Sequence, residues 1–101
     1  MRDTIHQGDI IKIENIRNPV LVVSKDFFNH TGEIIGCPVF TGGQAGPLHI
    51  YIQSETISGY VQCEKLALLD LNVRRYRKSG SISTADIINI TDAVQGIFDY
   101  M

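Results

Sequence analysis

A chain of 101 residues, 44% apolar and 20% charged, has the size and composition of one folded domain, residues 1–101, with a core of its own. No apolar run approaches the roughly 20 residues that span a bilayer, and Met1-Arg2-Asp3-Thr4, followed by His6, Gln7 and Asp9, is not a secretory leader, so a cytoplasmic protein without membrane contact is expected. A net charge of −2 excludes general attraction to polyanions, and any nucleic-acid contact needs a local basic patch, for which Arg74, Arg75, Arg77 and Lys78 are the one cluster.

Asp9 to Glu14 alternates Ile10, Ile11 and Ile13 with Lys12 and Glu14, the pattern of a strand with one wet face. Asn15-Ile16-Arg17-Asn18 is a short turn, and Pro19 opens a second strand whose run Val20 to Val23 predicts burial on both faces. Ser24 to Asn29 reads as a turn of helix capped by Ser24 and ended by Asn29 to Gly32. Glu33 to Phe40 is a third strand, and Thr41 to Pro47 a loop by composition. Leu48 to Ile52 and Gly59 to Gln62 are the fourth and fifth strands. Leu66 to Leu71 is expected as a short turn, and Arg74 to Ser81 as a loop with a brief last strand.

The long helix starts at Ser83, whose hydroxyl is placed to cap the amide of Asp86, with the Asp86 charge favoured by the helix dipole. Ile87, Ile90, Val94, Ile97 and Phe98 fall on one face. Five or six short strands before a single terminal helix predict an α+β fold, mostly β: a strongly curved sheet closed into a small barrel with the helix on its side. Cys37 and Cys63 lack C-x-x-C spacing, give no zinc signature, and are expected as reduced, buried small hydrophobes.

The run Ser58 to Asp70 carries the densest chemistry. Between Tyr60-Val61 and the apolar Leu66, Leu68 and Leu69, it holds an amide, a thiol, a carboxylate and an amine at Gln62, Cys63, Glu64 and Lys65. A cheap turn signal is absent there. A polar strand exit with no chemistry is the alternative reading.

Together with Gly8-Asp9-Ile10, Asn18-Pro19-Val20-Leu21-Val22-Val23-Ser24 and Cys37-Pro38-Val39-Phe40-Thr41, this segment resembles the MazF/PemK family of toxin ribonucleases. The likeness runs from about Gly8 to Tyr100. It implies an SH3-like barrel of the CcdB/PemK kind, no cofactor or metal, and a toxin of a type II toxin–antitoxin system. It also implies a homodimer and a cognate antitoxin whose disordered tail covers the RNA groove. Ile97, Phe98 and Tyr100 would be partly buried by such pairing. The implied activity is sequence-specific, metal-independent cleavage of single-stranded RNA to a 2′,3′-cyclic phosphate and a 5′-hydroxyl.

That reaction needs a proton acceptor for the ribose 2′-OH and a partner for charge on the pentavalent phosphate. In the family an arginine just ahead of the second strand's proline and a threonine ending the third strand belong to the site. By that resemblance Arg17, two residues before Pro19, is the phosphate clamp, Thr41 an oxygen-binding hydroxyl, and Glu64 the proton acceptor. Gln62, Lys65, His49, Arg74 and Arg75 are candidate RNA contacts, and Tyr51 and Tyr60 offer either base stacking or packing. Family members carry about ten residues between the first two strands, against four here. The shortening keeps open a second reading, a non-cleaving or protein-targeting binding module on the same barrel.

Overall fold

The computed structural model describes residues 4–99. The first strand, β1 (Asp9–Ile13), opens on a locked turn. Gly8 sits at φ +96°, a left-handed conformation that a side chain would strain. The adjacent Asp9 carboxylate is buried, accepts a hydrogen bond from the His6 N–H at 2.8 Å, and pairs with Lys78 Nζ at 3.2 Å. Ile10 follows with no exposed surface. The Gly-Asp-Ile motif is therefore a turn, an electrostatic lock and a core residue in succession.

After β1 come β2 (Val20–Val22), the short helix α1 (Asp26–Asn29), β3 (Glu33–Phe40), β4 (His49–Gln53) and β5 (Ser58–Gln62). They are followed by β6 (Ala67–Asp70), β7 (Tyr76–Ser81) and the long helix α2 (Thr84–Phe98). The strands form one curled antiparallel sheet, a half-barrel of order β4-β5-β3-β2-β1-β7, with β6 also paired to β3. No helix among the described residues is long and apolar enough to cross a membrane.

Strand alternation divides the core between the two faces of this sheet. Ile10, Leu21, Cys37, Val39, Val61 and Cys63 pack on one face with Ile90 of α2, while Ile11, Ile13, Val20, Val22, Ile34 and Leu71 pack on the other. The continuous apolar run of β2 follows from burial on both sides. Ser83 caps α2 as its sequence predicts, its Oγ accepting from the Asp86 N–H at 3.1 Å.

Two expectations are corrected. Residues 67–70 are a seventh strand rather than a turn, registered on β3 from Glu33↔Asp70 to Gly36↔Ala67. The segment lacks turn residues, and backbone pairing decides its conformation although Leu68 is largely exposed. Ser24 does not cap α1, whose N-cap is Lys25 without a side-chain bond. Ser24 Oγ instead donates to Asn29 Oδ1 and accepts from the Ile35 N–H, tying the helix to β3. The apolar face of α2 packs on the helix-side core through Ile87, Ile90 and Val94. Ile90 is fully enclosed, whereas Ile97 and Phe98 are 41% and 71% exposed. Tyr100 lies outside the described residues.

The Asp9 lock yields a stability prediction. Asp9→Ala leaves the His6 N–H and the Lys78 ammonium without their buried acceptor. It is expected to cost about 1–3 kcal/mol in urea unfolding. A loss within error of zero would show that the buried carboxylate contributes nothing net.

Candidate functional site

The turn between β1 and β2 is short but anchored at both ends. Asn15 takes φ +69°, Glu14 N–H donates to Arg75 O at 2.9 Å, and Ile16 N–H donates to Ile13 O at 3.1 Å. Asparagine tolerates this left-handed position better than most residues. Ile16 packs on the cluster of Ile11 and Val20, and Lys12 Nζ donates to Arg17 O at 3.4 Å. Pro19 O then accepts from the Val39 N–H at 2.9 Å, so residues 17 to 19 run beside the end of β3.

This placement builds a cleft of about 400 Å³ lined by Arg17, Asn18, Phe40, Thr41, Gly42 and Gln62. Three chain segments meet in it: the first turn, the exit of β3 and the end of β5. Arg17 and Thr41 are exposed, and Gln62 is half-buried. Among the described residues the Arg17 guanidinium makes no ion pair, and neither the Thr41 hydroxyl nor the Gln62 amide has a hydrogen-bond partner. A free cation, a free hydroxyl and a free amide thus converge on one open space. That set suits an anionic, oxygen-rich ligand.

A second group adjoins the cleft. His49 on β4 is the register partner of Gln62 on β5, and its Nε2 lies 2.9 and 3.1 Å from the two carboxylate oxygens of Glu64 in the turn that follows. The His49 contact is the main reason the Glu64 carboxyl is held below the ordinary glutamate range, with the backbone N–H of Glu64 and, least, Lys65 acting in the same direction. Lys65 does not pair with its neighbour. Its ammonium sits 5.1 Å from the centre of the Phe40 ring, a cation–π contact beside the cleft.

Of the residues singled out in the sequence, Arg17, Thr41 and Gln62 line the cleft, and His49, Glu64 and Lys65 border it. Arg74 and Arg75 do not line it. They lie in the bend before β7, where Arg75 Nε is 3.9 Å from Glu14 Oε2. Asn18, Phe40 and Gly42 were not among the candidates, although each adjoins or belongs to a motif that carried one. The pairing of His49 with Glu64 has no local sequence signal, since it depends on the β4–β5 register. No group of three or more His, Cys, Asp or Glu side chains able to hold a metal ion occurs among the described residues.

A half-barrel of short antiparallel strands with a terminal helix and a polar cleft at the exit of β3 defines a small curled barrel. The sequence profile of the PemK-like, MazF-like toxins of type II toxin–antitoxin systems matches residues 7–98, and the chain belongs to that family. No curated protein matches the sequence. Among solved structures, the fold is similar to a MazE–MazF complex from Deinococcus radiodurans, with a TM-score of 0.86 at 21% identity over 96% of this chain and 98% of that one. It is also similar to an endoribonuclease from a mycobacterial species, with a TM-score of 0.82 at 18% identity over 95% and 92% of the two chains. A third similar structure is a mycobacterial endoribonuclease with its cognate antitoxin, with a TM-score of 0.80 at 18% identity over 93% and 94%.

The His49–Glu64 pair makes a pH prediction. A carboxyl pKa depressed by folding means that Glu64 favours the folded state above the ordinary glutamate pKa. That contribution is lost as pH falls through the lowered folded value. In a carboxyl-detected NMR titration, Glu64 should titrate below the ordinary glutamate range, and His49→Ala should move its midpoint upward. An unmoved midpoint would show that the pair does not form in solution.

Proposed function

We propose that this chain is the toxin component of a type II toxin–antitoxin system and a metal-independent endoribonuclease acting on single-stranded RNA, with residues 1–101 working as one toxin domain. The observation that carries this reading is the convergence of unpaired Arg17, Thr41 and Gln62 in one cleft, beside the His49–Glu64 pair, in a chain of this family. The ribose 2′-OH gives up its proton and its oxygen attacks the adjacent phosphorus; the bond to the 5′-oxygen breaks and that oxygen takes a proton from solvent water, leaving a 2′,3′-cyclic phosphate and a 5′-hydroxyl. Arg17 offers a forked, permanent cation to the phosphate oxygens as charge accumulates on them. Thr41 donates its hydroxyl to one of those oxygens.

The proton acceptor is the pair rather than Glu64 alone. A carboxyl held below its ordinary pKa is a weaker base than a free glutamate, and its oxygens are engaged by His49 Nε2. The Glu64 carboxylate accepts from His49 Nε2 and orients the ring, and in that tautomer Nδ1 is the nitrogen left to take the 2′-OH proton. Gln62 and Lys65 contact RNA at the cleft, while Arg74 and Arg75 contribute phosphate contacts away from it. The cognate antitoxin and a second copy of this chain are its protein partners, and its work is cytoplasmic. The exposed apolar end of α2, at Ile97 and Phe98, favours pairing, and a monomeric mass by light scattering at tens of micromolar would count against the homodimer.

Incubation of the purified protein with a long RNA in EDTA, with the product ends mapped, tests the reaction. Arg17→Ala is expected to slow cleavage by about 10²-fold or more with the fold intact, as for loss of a charge partner in the transition state. Arg74→Ala should mainly weaken RNA binding and flatten its salt dependence. Glu64→Gln, which keeps size but removes the carboxylate, should slow cleavage; an unchanged rate would make Glu64 structural. If the parent protein cuts no RNA, the binding-module reading replaces this one.

A further inference from the structure

Phe40, at the cleft, is the register partner of Tyr60 on β5, and Tyr60 is the register partner of Tyr51 on β4. The three rings therefore form a row across three adjacent strands on one face of the sheet, leading away from the cleft. Tyr51 and Tyr60 meet edge to face, with centroids 5.4 Å apart, and Tyr51 is 50% exposed. The loop after β3 borders the row: a Cβ added at Gly43 would lie 3.9 Å from Tyr60 Cδ2.

The composition of this face decides what it suits. By strand alternation, the residues of β4 and β5 that share it are His49, Tyr51, Gln53, Ser58, Tyr60 and Gln62. None is aliphatic; aromatic rings also suit protein–protein interfaces, so the polar groups around the rings decide the reading. Two amides, an imidazole and a hydroxyl around aromatic rings are the groups that read base edges and stack on base faces. Cations mark the end nearest the cleft, with unpaired Arg17 in it and Lys65 over Phe40. The Glu64 carboxylate, which borders this end, is occupied by His49.

We propose that the Phe40–Tyr60–Tyr51 row is a base-stacking shelf, which holds the nucleotides flanking the scissile phosphate of a single-stranded RNA. Three strands at about 4.8 Å spacing give the shelf about 10 Å of width, room for about two bases. Tyr51 is its outer platform and a specificity-determining position, with Gln62 and Gln53 as edge readers on either side. This rests on the RNA reading above and adds which bases the protein grips and with what.

The test uses a fluorescein-labelled single-stranded oligoribonucleotide with 2′-O-methyl groups throughout, which binds without being cut, and an unmodified RNA of the same sequence for cleavage. Tyr51→Ala is expected to weaken binding of the methylated strand by about tenfold or more, and Tyr51→Phe to restore most of it, because the ring rather than the hydroxyl stacks. The half-exposed position lets circular dichroism verify that both variants fold. If the parent binds and cleaves RNA but Tyr51→Ala binds as well as the parent, the shelf is wrong and the nuclease reading stands. If Tyr51→Ala instead halves the mass in light scattering with RNA affinity unchanged, the row is a self-interface and the shelf is overturned. If the parent neither binds the methylated strand nor cuts the unmodified one, the RNA reading itself fails and takes the shelf with it.

Discussion

One edge of β3 has to serve two strands, and most of the molecule is arranged around that constraint. On its other edge β3 pairs continuously with β2 from Gly36 to Pro38. On the shared edge Glu33 to Gly36 pair with β6, while Val39 and Phe40 pair with β5. A break is left at Cys37-Pro38. Successive N–H groups along a strand point to opposite edges, and Val39 donates toward Pro19 on the β2 side, so the missing donor of Pro38 faces the break. A proline that would damage an ordinary central strand is harmless where neither partner strand reaches. Close passage of β5 is secured by Gly59, where any Cβ would lie 2.4 Å from Phe40 O. The break turns the sheet into a half-barrel and brings the exit of β3 beside the first turn.

The cleft is a direct product of that geometry. Its polar groups come from segments far apart in sequence, and none of Arg17, Thr41 or Gln62 is spent on the fold. The contrast with Asp9 is instructive. That carboxylate is buried and fully engaged, and it holds the start of β1 to β7 through Lys78. Among the described residues, buried side-chain polar atoms are all satisfied, while the unpaired groups of the cleft can be met by water or a ligand at little cost to stability.

Local signals carried much of this into the sequence. The bounds of β3, the Ser83 cap and the two-faced burial of β2 follow from periodicity and capping chemistry within a few residues. The motif order pointed to the barrel and to Arg17, Thr41 and Glu64 as the reacting set, whereas the cleft groups Arg17 and Thr41 with Gln62 and leaves Glu64 at its border. Long-range register was not legible. His49 and Glu64 are fifteen residues apart and meet only because β4 and β5 pair with His49 opposite Gln62. The strand at 67–70 was missed for the same reason, since its partner lies more than thirty residues earlier in β3. Ser24 has the chemistry of a helix cap, but tertiary contacts with Asn29 and Ile35 compete for its hydroxyl and win.

The two cysteines sit fully enclosed in the helix-side core, and burial pushes the Cys37 thiol up to about 12 and the Cys63 thiol up to about 11. The reactive species in thiol chemistry is the thiolate. At neutral pH a thiol with a pKa near 12 holds roughly one thiolate per 10⁵ molecules, against a few per cent for a free cysteine. Peroxide, disulfide exchange and alkylating agents therefore find almost no nucleophile in the folded protein. The redox chemistry of the two cysteines is tied to opening of the core, and with a reagent fast enough to outpace reclosing, the rate at which these thiols react reports how often the half-barrel opens.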